Sequence, residues 1–100
     1  AVRVPVASVS CVDLSVMTAR PVTVEAVNAT FRAAAQIDGT VIGATDRALV
    51  SSDLRARADS IVMACPETRV TPQGLCRVFG WYDNEWGFSN RMLDVALRMA

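Results

Sequence analysis

The sequence predicts an α+β fold, a mixed and mainly antiparallel β-sheet with two helices on one face. Three observations predict it. The opening eighteen residues alternate apolar and polar positions, the signature of extended chain. Two later segments carry apolar residues at spacings of three and four, the signature of helices. Between those helices lie short β-like runs joined by turns, which favours antiparallel neighbours over crossovers.

In "AVRVPVASVSCVDLSVMT", Val2, Val4 and Val6 alternate, then Val12, Leu14 and Val16 alternate against Asp13 and Ser15. One long bent strand or two in tandem fits, with Pro5 weakening any pairing near it. "RPVTVEAVNATFRAAAQ" reads as a helix capped by Thr23, with Glu25 at its positive end and Val24, Val27, Phe31 and Ala34 on one stripe. Asp38-Gly39 ends it. From Thr40 the chain turns β-like in "TVIGAT" and again in "ALVSSDL". "DLRARAD" is charged and expected to be exposed. "SIVMA" and "ETRVT" follow, parted at Cys65-Pro66, and Pro72-Gln73-Gly74 makes a turn before the last strand, "LCRVFGWYD". The final helix runs from about Glu85 to the end, with Phe88, Met92, Val95 and Met99 on one side. Asp94 has Arg91 three positions before it and Arg98 four after, both within pairing reach. Gly87, in the first turn, is the weak point of that helix. The order is β-α-β-β-β-β-α.

One hundred residues make one domain or part of one, enough to bury roughly two thirds of the unfolded surface. The chain is 52% hydrophobic and 20% charged, with zero formal net charge. Such an apolar composition with no net charge favours association with copies or with a complementing segment. Zero net charge and no basic stripe argue against nucleic acid. The apolar runs are too short to cross a bilayer, so no membrane partner is expected. Cys11, Cys65 and Cys76 are odd in number and lack metal-ligand spacing, so no metal is expected and a reduced, cytoplasmic setting fits best. All ten cations are arginine and histidine is absent, which removes the usual neutral-pH base. The chain opens on Ala1 rather than Met, which suggests a segment or a processed product.

Chemistry concentrates in "WYDNEWGFSNR", residues 81–91, which holds both tryptophans and the only tyrosine. Asp83 or Asn84 can cap the final helix. Asn84 offers a donor and an acceptor at a strand-to-helix junction, a fit for a planar carboxamide such as that of nicotinamide.

That motif resembles the C-terminal signature of the phosphorylating glyceraldehyde-3-phosphate dehydrogenase family, which includes erythrose-4-phosphate dehydrogenase. "AVRVPVASVSCVDLSV" is similar to the family's strand after its phosphate loop, and "ALVSSDL" to its Val-Ser-Ser-Asp-Phe segment. Nearly the whole chain aligns, in order, with the second half of the family's catalytic domain. The resemblance implies that Arg3 binds a substrate phosphate, as an arginine fork does well, and that Asn84 contacts the nicotinamide of NAD. Without the family, Arg3 is simply an outward residue of an alternating strand. Phe88 stands where many members have Tyr.

The resemblance also implies what residues 1–100 lack. The Gly-x-Gly-x-x-Gly turn of a nucleotide-binding domain does not occur, nor does the Ser-Cys-Thr-Thr-Asn context of the nucleophile. None of the three cysteines takes over that role, and the activating histidine cannot be here. In the family, a cysteine forms a hemithioacetal with a phosphorylated sugar aldehyde, hydride passes to NAD, and the thioester is released to phosphate or water. The expectation is therefore a partial catalytic domain, inactive alone, whose partners are copies of itself or a complementing N-terminal segment. The "DLRARADSIV" stretch departs from the family's more polar loop. A non-enzymatic oligomerisation or interaction module derived from the same fold is the competing expectation, and nothing in the sequence separates glyceraldehyde-3-phosphate from erythrose-4-phosphate.

Overall fold

The computed structural model describes residues 3–100. Strand β1 spans Ser10–Met17, helix α1 Val24–Ile37, β2 Ile42–Thr45, β3 Ile61–Ala64, β4 Arg69–Val70, β5 Leu75–Tyr82 and helix α2 Asn84–Met99. This is the expected order, and the sheet runs β1-β5-β3-β2 with β4 beside β5. β1 and β5 pair antiparallel along their whole length, from Ser10 opposite Tyr82 to Met17 opposite Leu75. β3 and β4 share the other side of β5, also antiparallel. Only β2 and β3 run parallel, which makes the sheet mixed as expected.

The opening segment departs from the long strand expected of it. Of the alternating valines there, Val2 lies outside the described residues, while Val4 and Val6 are exposed and unpaired into any ladder. Two causes are visible. Pro5 has no N–H to give a ladder, and Val9 adopts a φ of 76°, a left-handed turn that breaks the extended path. A β-branched residue there costs about 1–3 kcal/mol and persists only where its surroundings hold it. Val9 is so held: it is buried with Leu54 and Val62 in a small core cluster against which Leu49 and Trp81 pack.

"ALVSSDL" is not a strand either. Ser51–Leu54 forms a 3-10 turn, in which the Asp53 carboxylate accepts from the Val50 N–H at 2.9 Å. The local Ser-Ser-Asp hydrogen bonding outcompetes extension. "DLRARAD" is exposed at Asp53 and from Arg55 to Ala58 but not throughout: Leu54 and Asp59 are buried, and Asp59 pairs with Arg57 at 2.8 Å.

Helix α1 follows its sequence closely. The Thr23 hydroxyl accepts from the Ala26 N–H at 3.2 Å, and Asp38 closes the far end. The stripe from Val24 to Ala34 is half-buried beside β2. Asn28 pins the helix to the turn after β3, donating to the Cys65 carbonyl at 3.0 Å and accepting from the Thr68 hydroxyl at 2.7 Å. Both ends of a buried amide are thus satisfied.

Helix α2 is held at its beginning. Its buried residue is Gly87, where a Cβ would lie 2.9 Å from the Asp59 carbonyl oxygen. The expected weak point is therefore the point of closest packing, because only glycine admits the β2–β3 connection so near. Arg91 donates to the Thr40 carbonyl and pairs with Asp94 at 2.7 Å; that carboxylate goes to Arg91 rather than Arg98. Beyond this anchor the apolar side chains are open: Phe88 is 66% exposed and Met99 82%.

Candidate functional site

The site grows from the junction of β5 and α2. Asp83 ends the strand ladder and caps the helix, accepting from the Trp86 N–H at 3.0 Å. Its second oxygen accepts from the Ala56 N–H at 2.9 Å, and Ala56 takes a φ of 60° to present that group. The backbone N–H groups of Trp86 and then Ala56 hold the Asp83 carboxyl below its ordinary range. Of the two possible caps, Asp83 takes the role, and Asn84 is freed for other contacts.

Asn84 is the first residue of α2 and is exposed. Its Oδ1 accepts from the Ser10 hydroxyl at 3.4 Å, and its Nδ2 donates to the Glu85 carboxylate at 3.3 Å. Ser10 reaches it because the β1–β5 register places Ser10 opposite Tyr82, at the end of β5 that leads into the helix. Ser8, just upstream, accepts from Arg55 at 3.1 Å. Arg3 is exposed at the head of the segment that passes through Ser8 and Val9 to Ser10. Of the two residues singled out in the sequence, Asn84 touches Ser10 and Arg3 lies upstream of Ser10 along the chain; no contact joins Arg3 to Asn84 among the described residues.

Two surface cavities lie elsewhere. One of about 350 Å³ is lined by Arg47, Asp53, Arg57 and the core residues Leu54 and Val62. The other, about 190 Å³, is walled by Val50, Pro66, Phe79 and Trp81. Neither Arg3 nor Asn84 lines them.

The donor set at Asn84 fits a primary carboxamide such as that of nicotinamide. One lone pair of Oδ1 remains after the Ser10 bond, and the group is open to a ligand. Cys65 and Cys76 are buried and Cys11 is an exposed strand residue; all three are free. Burial pushes the Cys65 thiol up, away from the thiolate that attacks carbonyls. Among the described residues no group of His, Cys, Asp and Glu is gathered to hold a metal ion. No helix among them is long and apolar enough to cross a membrane.

Ser10 and Arg55 were not singled out in the sequence. Ser10 meets Asn84 across 74 positions, a contact that only the strand register creates. The Arg55–Ser8 contact likewise has no local signal.

A family model, that of the glyceraldehyde 3-phosphate dehydrogenase C-terminal domain, matches residues 1–84. The chain is 46% identical over 101 residues to a glyceraldehyde-3-phosphate dehydrogenase of Zymomonas mobilis, an alignment covering 99% of this chain and 30% of that protein. It is 48% identical over 103 residues to the chromosomal enzyme of that name from Cupriavidus necator, covering all of this chain and 30% of the relative. A Bacillus cereus glyceraldehyde-3-phosphate dehydrogenase 1 is 45% identical over 101 residues, with 99% and 30% covered. The chain spans about 30% of the length of the curated relatives it matches.

Proposed function

The chain belongs to the glyceraldehyde 3-phosphate dehydrogenase C-terminal domain family, and from that premise we propose that it supplies the ligand-holding part of an NAD-dependent phosphosugar aldehyde dehydrogenase. The observation that carries this reading is the exposed carboxamide of Asn84, freed from capping by Asp83 and turned outward at the start of α2. In this reading Asn84 holds the nicotinamide carboxamide of NAD, and the Arg3 guanidinium grips the phosphate of the sugar aldehyde with two parallel N–H donors. NAD accepts the hydride when bound, and the rest of the work here is orientation.

This chain's part is to hold and to exclude, not to make bonds. Histidine does not occur in it, and its thiols are buried or lie in a strand without a base. A nucleophilic thiolate and its proton acceptor therefore come from another segment or subunit. Support for such a partner lies in the open apolar side of α2 and in the exposed Val12, Leu14 and Val16 of β1. We place the assembly in the cytoplasm, as an oligomer or with a complementing N-terminal segment.

The test is a chimera in which this chain replaces the matching 101 residues of the Zymomonas mobilis enzyme. Expected is NAD-dependent oxidation of glyceraldehyde-3-phosphate by the chimera and none by the isolated chain. Arg3→Ala is expected to raise the KM for the phosphosugar on the order of 10-fold to 100-fold, the loss of a charge-assisted contact. Erythrose-4-phosphate assayed beside it settles which sugar is preferred. Turnover by the isolated chain overturns the reading. So does a folded, assembled chimera without activity, the result a non-enzymatic interaction module gives.

A further inference from the structure

The stretch that departs from the family's polar loop, "DLRARAD", supplies Asp53, Leu54 and Arg57 to the cavity of about 350 Å³. That volume lies at the small end of ligand-sized pockets. Arg47 lines it from the opposite side. Arg57 is held in place: its Nε donates to the buried Asp59 carboxylate at 2.8 Å, which leaves its terminal nitrogens for a ligand. The loop behind it is fixed as well, since Ala56 takes a φ of 60° and donates its N–H to Asp83 at 2.9 Å. Arg47 is exposed and makes no ion pair among the described residues. One Asp53 oxygen accepts from the Val50 N–H at 2.9 Å, and the other remains to accept a second donor.

Charge decides what such walls prefer. The two guanidiniums are matched by the carboxylates of Asp53 and Asp59, so a simple anion or cation gains little from the set. A ligand with one charge of each sign gains at both ends. The second cavity, about 190 Å³, adjoins the first at Arg47 and Leu49, which line both. Its Phe79 and Trp81 meet edge to face with centroids 5.0 Å apart, beside Val50 and Pro66. The carboxylate on its wall, Glu67, is turned to Arg77 at 3.4 Å. This is an apolar slot for a ring.

We propose that the two cavities form one binding site for a free α-amino acid with an aromatic side chain. Arg47 and Arg57 take its carboxylate, Asp53 its ammonium, and the slot at Phe79 and Trp81 its ring. Asn84 lines neither cavity, so this site is separate from the one assigned to NAD.

The experiment titrates phenylalanine into the isotopically labelled chain and follows the two indole N–H signals by NMR. Trp81 lines the slot, whereas Trp86 is 52% exposed and lines neither cavity, which makes it the internal reference. Expected is a saturable shift at Trp81 and at the Arg57 amide, with Trp86 unmoved. Phenylpropionate, which lacks the ammonium, and phenethylamine, which lacks the carboxylate, are each expected to bind roughly tenfold more weakly, the worth of one charge-assisted contact. Asp53→Asn keeps an acceptor for the Val50 N–H and is expected to abolish the preference for phenylalanine over phenylpropionate. Arg47→Gln is expected to shrink the preference over phenethylamine. Equilibrium dialysis repeats the comparison in the assembled chimera, which is expected to take up phenylalanine roughly tenfold more tightly than its Asp53→Asn form. Equal shifts at both tryptophans, phenylpropionate binding as tightly as phenylalanine, or a chimera that takes up no phenylalanine overturns the site.

Discussion

Strand β3 and helix α2 are both rich in apolar residues, yet three of the four residues of β3 are buried and only one of the sixteen in α2. The difference is in what each finds within the chain. β3 lies between β2 and β5, so Val62 meets the Val9–Leu54 cluster, and Ile61 and Met63 fill the space over Gly80, where a Cβ would lie 2.6 Å from the Ile61 side chain. α2 is tied down in its first two turns, Gly87 against the β2–β3 connection at Asp59 and Arg91 on Thr40 and Ser60, and then runs on with Leu93, Val95, Leu97 and Met99 exposed. A hydrophobic face of this extent is normal for an interface and unusual for a free surface. Composition alone does not make a core; an element is stable where the chain supplies its other side.

Substitution gives the largest way to break that comparison. Leu54→Ala removes a side chain that is 3% exposed, and is expected to lower stability by about 2–4 kcal/mol through lost burial and a residual cavity. Leu97→Ala, at 78% exposed, is expected to stay within about 0.5 kcal/mol in the same denaturation experiment on the isolated chain. Equal costs at the two sites would show that α2 has its partner already.

A smaller effect sharpens it, at the one place where α2 is tied down. Asp83→Ala is expected to cost about 1–2 kcal/mol at neutral pH, because the Trp86 and Ala56 N–H groups lose their acceptor. The folded pKa of Asp83 lies below its unfolded value, so its carboxylate contributes fully above the ordinary carboxylate range. That contribution fades as pH falls through the depressed folded value. Thermal melts from pH 7 down to about pH 2 are expected to bring the parent and Asp83→Ala closer together, since protonation removes what the substitution has already removed. A gap that is constant with pH would assign the loss to something other than the charged cap.

How much of this was legible in the sequence depended on the range of the interaction. α1 was readable because its cap, its stripe and its stop are all local: Thr23, the Val24–Ala34 spacing and Asp38. The Asp83-Asn84-Glu85 cluster stood out for the same reason. Val9 was not readable, because a left-handed β-branched residue contradicts its own propensity and is imposed by Leu54 and Val62 from far along the chain. "ALVSSDL" misled because Ala-Leu-Val suggests a strand while Ser-Ser-Asp satisfies the backbone in a turn. Gly87 misled in the opposite sense: helix propensity counts its missing side chain as a cost, but the approach of the Asp59 carbonyl requires it. At the site, Asn84 was visible as chemistry and Ser10 was not, since their meeting is a property of strand register.

Hydrogen exchange, read amide by amide, tests the division between β3 and α2 most directly. It is measured on the isolated chain and again on the chain within the Zymomonas mobilis chimera. β3 and β5 are expected to be protected in both, and α2 beyond Arg91 only in the second, where another surface covers its apolar side. Protection of residues 92–99 in the isolated chain equal to that of β3 would contradict the account, because the helix would then owe its stability to nothing outside this chain.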